Sequence, residues 1–221
     1  LGVRRQRQMC IRDSKSGSHI VCLSDRIQKE FVNRGCDSTN VSILPCGIDV
    51  ELYSMDEKNV LHSNRSIVVG KVEPRKRQSF LQGKGLNIDF IGNNVDPSFD
   101  TNDPCYFGEQ SKQDIMDNLT SYANMVLLSS GEAHPFVCLE GMAAGLGLVL
   151  SEQSTANLDL SKPFITVIPD DKLDDTEFLK NKIEENRKVS LPIRKEIRQY
   201  CKDNFDWCVI IEKYKEIIES I

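Results

Sequence analysis

The sequence predicts an α/β domain built on a doubly wound, mostly parallel sheet, and three observations lead there. Short apolar runs of strand length recur along the chain. Stretches of helical character separate them, so neighbouring strands are joined by crossovers and lie parallel. A chain of 221 residues with 39% hydrophobic content buries one sizeable core, with room for a small lobe.

In order, HIVCLS (19–24) reads as a strand and SDRIQKEFVNRG (24–35) as a helix opened by Ser24 or Asp25 and closed by Gly35. VSILP (41–45), SIVVG (66–70), NIDFIG (87–92), MVLLSS (125–130) and GLVLS (147–151) are further strand-length runs. Between them lie QSKQDIMDNLTSYA (110–123), with Ile115 and Leu119 on one helical face, and FVCLEGMAAG (136–145). FITVIP (164–169) then gives a short strand, followed by an acidic helix over about 175–186 and two helical pieces ending in WCVIIEKYKEIIESI (207–221). In that last piece Ile210, Tyr214 and Ile217 or Ile218 recur at helical spacing, and Trp207 is expected to anchor the helix in the core. The head, LGVRRQRQMCIRDS (1–14), is rich in Arg and Gln and has neither period. Residues 1–17 are therefore read as a disordered or foreign segment and 18–221 as one domain.

A formal charge of −5 and a pI near 5.3 argue against a partner held by nucleic-acid backbone charge. Eight cysteines without a CxxC pair, several inside apolar runs, read as reduced thiols of a cytoplasmic protein. With only His19, His62 and His134, little is at hand for a metal site. No stretch approaches the roughly 20 apolar residues that span a bilayer, so membrane association is expected to be peripheral at most, at the cytosolic face.

Two segments carry the candidate chemistry. In GEAHPFVCLEGMAAG (131–145), a strand gives way to a turn bearing Glu132, and Pro135 suits the start of a helix that carries Glu140. The unpaired amides at that helix start, at about Phe136 to Cys138, suit a phosphate, and the carboxylates suit hydroxyls. The pattern fits a polyhydroxylated, phosphate-bearing ligand. Spacing alone equally allows Glu132 as a helix-start acid and Glu140 as a solvated one. In SIVVGKVEPRKRQ (66–78), a strand meets Gly70 and then Lys71, Arg75, Lys76 and Arg77. Gly70 permits tight backbone passage and the lysines can meet a diphosphate. Glu73 is positioned to pair with one of these cations, which leaves open which lysine faces a ligand.

Taken in order, VCLSDRIQKEFVNRG, VSILPCGIDVELY, VVGKVEPRK, IDFIG, MVLLSSGEAHPFVCLEGMAAGLGLVLS and FDWCVIIEKY resemble the C-terminal, donor-binding domain of retaining GT-B glycosyltransferases over about residues 18–218. The resemblance implies the C-terminal half of a fold with two facing Rossmann-like domains. It implies transfer of a sugar from a UDP-, GDP- or similar nucleotide sugar to an acceptor hydroxyl, with retention, no cofactor and no obligatory metal. The acceptor, whether a glycan, a lipid-linked or a small molecule, is held in such enzymes by an N-terminal domain missing here, so an inactive fragment is expected.

By the same resemblance, Glu132 and Glu140 fall on the two acids of the E-x7-E signature, the first addressing the donor sugar and the second the ribose. Lys76 falls on a diphosphate-contacting lysine, and Lys71 stands where arginine is usual. Gly70, Phe136 and Val137 fall on backbone positions that meet the donor. Gly47 and Asp49 fall on a structural N-G-x-D turn in which Cys46 replaces Asn. The helix after EPRK is short, and SEQSTANLDLSKPF (151–164) lacks the usual glycine-rich turn and following glutamate. Two other readings stay open: a nucleotide-sugar-binding module without catalysis, and a nucleotide-sugar epimerase of the same architecture.

Overall fold

A computed structural model describes residues 17–55 and 61–221. Most of the head, 1–16, therefore lies outside the described residues.

Five strands form one parallel sheet: β3 (His62–Val69), β4 (Ile88–Ile91), β5 (Tyr122–Leu127), β6 (Gly147–Ser151) and β7 (Ile165–Ile168), in the spatial order β4-β3-β5-β6-β7. The apolar runs alternate in side. Ile67, Val69, Met125, Leu127, Leu148 and Leu150 face one core, and Val68, Val126, Val149 and Ile168 face the other. A sheet apolar on both faces must be covered on both. Helices α4 (Phe136–Ala143) and α6 (Arg194–Phe205) supply Leu139, Met142, Ile197 and Phe205 to the first core. The four-residue α2 (Gln78–Leu81) and α5 (Thr176–Ser190) supply Leu81, Leu179 and Ile183 to the second. The doubly wound prediction holds, and α2 is as short as QSFLQGKGL allows.

Buried polar groups pin α5 to the sheet. Asn186 donates to the Leu148 and Phe164 carbonyls at 3.1 and 3.0 Å, and Arg187 donates to the Leu86 and Asn87 carbonyls at 2.6 and 3.1 Å. Asn124 donates to Asn186 Oδ1 at 2.9 Å and to the Ile183 carbonyl at 3.1 Å. These bonds explain why β5 begins at Tyr122 and not at Met125: a polar residue occupies a central strand because its amide is fully engaged. Helix α3 (Lys112–Asn118) ends in a 3-10 turn, Leu119–Ser121, which makes it shorter than 110–123.

The first two runs do not join the main sheet. β1 (Ile20–Cys22) and β2 (Val41–Ile43) form their own parallel pair, with α1 (Asp25–Asn33) packed on it. Cys22, Cys36 and Val41 are buried there against Ile20, Ile27 and Phe31, so these runs satisfy one another.

Helix α7 (Trp207–Glu219) buries Ile210, but Trp207 is 50% exposed, contrary to its expected place in the core. Its ring lies on Gly47, where an added Cβ would come within 2.5 Å of Trp207 Cε3, so the indole caps a turn and keeps one face in solvent. The seven cysteines of the described residues are free; Cys22, Cys36, Cys138 and Cys201 are buried, and Cys208 is exposed. Among the described residues no helix is long and apolar enough to cross a membrane.

Candidate functional site

The strand order reverses between β3 and β5: the chain steps outward to β4 and then crosses back to β5 on the far side of β3. The carboxyl ends of strands flanking such a reversal open a crevice. β3 runs into Gly70 and β5 into the loop holding Glu132, so both candidate segments emerge at this crevice.

After β3, Gly70 takes φ +135°, a conformation that side chains resist, and its N–H bonds the Ile91 carbonyl at 2.9 Å. An added Cβ would lie 2.8 Å from Lys76 Nζ, so the bare backbone leaves room for that ammonium. The 70–73 turn is held from beneath by the buried Gln78. Its amide donates to the Lys71 carbonyl at 3.1 Å and its oxygen accepts the Glu73 N–H at 3.2 Å. Lys76 closes a 3-10 turn, Pro74–Lys76, that carries it back over Gly70. Lys71 and Gly70 line an open cleft of about 340 Å³ with Gly92, Asn93, Glu109 and Gln110.

After β5, the Glu132 carboxylate accepts from Arg75 Nη1 at 2.9 Å. Arg75 also donates to Glu73 Oε1 at 2.7 Å, to Ser129 Oγ at 2.9 Å and to the Gly131 carbonyl. The guanidinium thus ties the two loops together. From the other side, Arg26 donates to the Glu132 carbonyl at 2.8 Å and to Gln153 Oε1 at 3.1 Å. Pro135 stands one position before α4 as its cap residue, and no side chain caps the helix. Cys138 N–H bonds the Pro135 carbonyl at 3.0 Å, while the N–H groups of Phe136 and Val137 face no backbone acceptor among the described residues. Phe136 is exposed and Val137 half-buried at that start.

Glu140, one turn into α4, is half-buried and has no cation at hydrogen-bonding distance among the described residues. Its Oε1 accepts from the Tyr53 hydroxyl at 2.8 Å. Burial pushes its carboxyl above the usual range, opposed by the Tyr53 bond and by the charge of Lys112. The fully buried Cys138 thiol is raised by burial first, then by the charges of Glu132 and Glu140, and lowered by Lys76. His134 accepts the Cys46 N–H at Nδ1 at 3.0 Å, and burial lowers it to about 4, so it stays neutral as a structural part of the loop. Among the described residues no group of three or more His, Cys, Asp or Glu side chains is arranged to hold a metal ion.

Scanning against protein-family models finds no match. No curated protein sequence matches either. Solved structures do. The Anabaena protein HepE, crystallised in complex with UDP, superimposes with a TM-score of 0.72 at 17% identity, covering 92% of this chain and 64% of that one. HepE has also been solved with UDP-glucose. TarM matches with a TM-score of 0.71 at 10% identity over 96% of this chain and 45% of its own. WaaG, a glycosyltransferase of lipopolysaccharide biosynthesis, matches at 0.65 and 14% identity over 92% and 64%. This chain has the mostly parallel, Rossmann-like fold of the C-terminal half of GT-B glycosyltransferases. It spans less than two thirds of the length of these structures.

Of the predicted site residues, Gly70, Lys76, Glu132, Phe136, Val137 and Glu140 gather at the crevice, and Lys71 lies at its β4 side. Sequence reasoning missed Tyr53 and Arg26; the cation it expected Glu73 to pair with is Arg75, whose bond to Glu132 it did not foresee. Tyr53 closes the quoted segment VSILPCGIDVELY, but nothing local ties it to Glu140, 87 positions away.

Proposed function

We propose that this chain is the donor-binding half of a retaining glycosyltransferase that takes its sugar from a nucleoside diphosphate sugar. What carries this reading is that the turn bearing Gly70 and Lys76 and the loop bearing Glu132 leave β3 and β5 at the sheet's switch point, are tied together by the Arg75–Glu132 pair and lead directly into the start of α4, the helix of Glu140. The UDP and UDP-glucose complexes of HepE, whose fold it shares, support the same ligand class.

The diphosphate lies between Gly70 and the α4 start. Lys76 and the Phe136 and Val137 amides take up its charge, with Lys71 at the cleft's other wall. Glu132 accepts from hydroxyls of the sugar, and Glu140 accepts from the ribose diol. During transfer the bond from the anomeric carbon to the diphosphate oxygen breaks as the acceptor oxygen bonds to the same face. The acceptor proton passes to the departing diphosphate. Lys71 stabilises that charge less directionally than an arginine fork. The acceptor, a glycan, lipid-linked or small-molecule hydroxyl, is supplied against a second domain. The site works in the cytoplasm, in solution or at the cytosolic face of a membrane.

Calorimetric titration of UDP, GDP and their glucose and mannose conjugates into the chain in the presence of EDTA tests the reading. Saturable binding of one diphosphate and its conjugate is expected. Failure of every diphosphate to bind, with or without added magnesium, would contradict it.

A further inference from the structure

We infer that Tyr53 is a positioning residue for the Glu140 carboxylate, engaging one of its oxygens so that the other is presented to the ribose diol of a nucleoside diphosphate. This rests on the donor-site reading above and goes beyond it, because Tyr53 belongs to neither signature segment.

The phenol is fixed from several sides. Tyr53 is 2% exposed and packs in the core beneath α4. It follows a 3-10 turn, Val50–Leu52, capped by Asp49, whose carboxylate accepts the Glu51 N–H at 3.1 Å. Its own carbonyl accepts from Arg198 Nη1 at 2.7 Å, and the same nitrogen donates to the Ala143 carbonyl at the end of α4. One guanidinium therefore ties the backbone of Tyr53 to the helix that carries Glu140. Glu51 in turn pairs with Lys202 at 2.6 Å and with Arg198 at 3.3 Å, and Ser54 N–H bonds the Met116 carbonyl at 3.1 Å. The hydroxyl cannot follow Glu140 if the carboxylate turns away, so the bond of 2.8 Å selects one orientation.

The bond is also asymmetric. Oε1 accepts from Tyr53, and Oε2 accepts from none of the described residues. A carboxylate has lone pairs for several donors, so Oε2 remains for a ligand. Burial and the Glu140 charge push the Tyr53 hydroxyl far above its usual range, so the phenol donates at every working pH. The other titratable group that acts on Glu140 is Lys112 at the start of α3; Glu140 in turn raises the Cys138 thiol of α4, and Cys201 of α6 acts on Tyr53.

The test is Tyr53→Phe, which keeps the ring and removes one hydroxyl, on the full chain. UDP and GDP are titrated beside their 2′,3′-dideoxy analogues across pH. The variant is expected to bind the ribonucleotide about threefold to tenfold more weakly and the dideoxy analogue as wild type does. Its acid limb of binding shifts to higher pH, because the bond that favoured the charged carboxylate is gone. Equal weakening of both ligand forms would make Tyr53 a packing residue and overturn the inference, as would unchanged ribonucleotide affinity. Wild-type protein that binds ribose and dideoxy forms alike would remove Glu140 from the ribose and overturn the inference while leaving a diphosphate site. Wild-type protein that binds no diphosphate would overturn the donor-site reading itself.

Discussion

Glu132 and Glu140 share one loop and helix, yet one is held by charge near solvent and the other by a neutral phenol in the core. Arg75, which holds Glu132, is 42% exposed, and the carboxylate it meets is 16% exposed. An ion pair of that kind is worth about 0–1 kcal/mol and is weakened by salt. Its geometry can adjust when a sugar arrives. Glu140 has lost much of its hydration, keeps one fixed donor and sits on a helix held at its far end by Arg198. The difference suits the proposed division of labour: the invariant ribose meets a rigid acid, and the variable sugar meets an adaptable one.

Lys76, held over Gly70, should respond to neither distinction. K76A removes a charge-assisted contact worth about 1.5–3 kcal/mol, so calorimetry should show a tenfold or greater loss, equal for free diphosphate and conjugate. A loss confined to the conjugate would move Lys76 to the sugar side. Arg75→Ala sharpens the comparison on the Glu132 side. Freed from its loop tie, Glu132 should cost the conjugate about threefold in affinity while the free diphosphate changes little. Arg75→Lys should restore little, because a single ammonium cannot bridge Glu73, Glu132 and the Gly131 carbonyl together.

Stability separates the two acids more quietly. Burial raises the Glu140 carboxyl, so the folded state holds that proton more tightly than the unfolded chain does. Its contribution therefore falls as pH rises from the unfolded value through the raised folded one, leaving a constant penalty above it. E140Q carries no such penalty. Its melting temperature without ligand should equal or exceed wild type at about pH 8, with the gap closing under acid. A less stable E140Q at that pH would mean that the charge is favoured by its surroundings. E132Q should be slightly less stable than wild type, by at most about 1 kcal/mol, and about 1 M salt should erase the difference.

Much of this frame was legible because buried parallel strands read as unbroken apolar runs. GLVLS coincides with β6, and SIVVG lies over the buried end of β3. The start of β5 was hidden by Asn124, whose polarity argues against a strand until Asn186 and Ser66 are seen to engage it. The first two runs are strands, but nothing local states that they pair with each other and not with β3. Trp207 was misplaced because an aromatic beside a helical apolar stripe is usually core, whereas here Gly47 offers it a flat seat at the surface. In the site, Glu132, Glu140 and the basic turn were visible as residue types at a strand-to-helix junction. The partners that orient them were not, since Arg75 and Tyr53 reach their carboxylates across 57 and 87 positions.

The central claim is the unequal partition of roles between the two acids, and a four-way titration tests it most directly. E132Q and E140Q are each titrated with the free nucleoside diphosphate and with its sugar conjugate under the same metal-free conditions. E140Q should weaken both ligands by the same factor, and E132Q should weaken the conjugate while leaving the free diphosphate near wild type. Equal effects of the two substitutions on both ligands, or selective loss of the conjugate in E140Q, would contradict the partition.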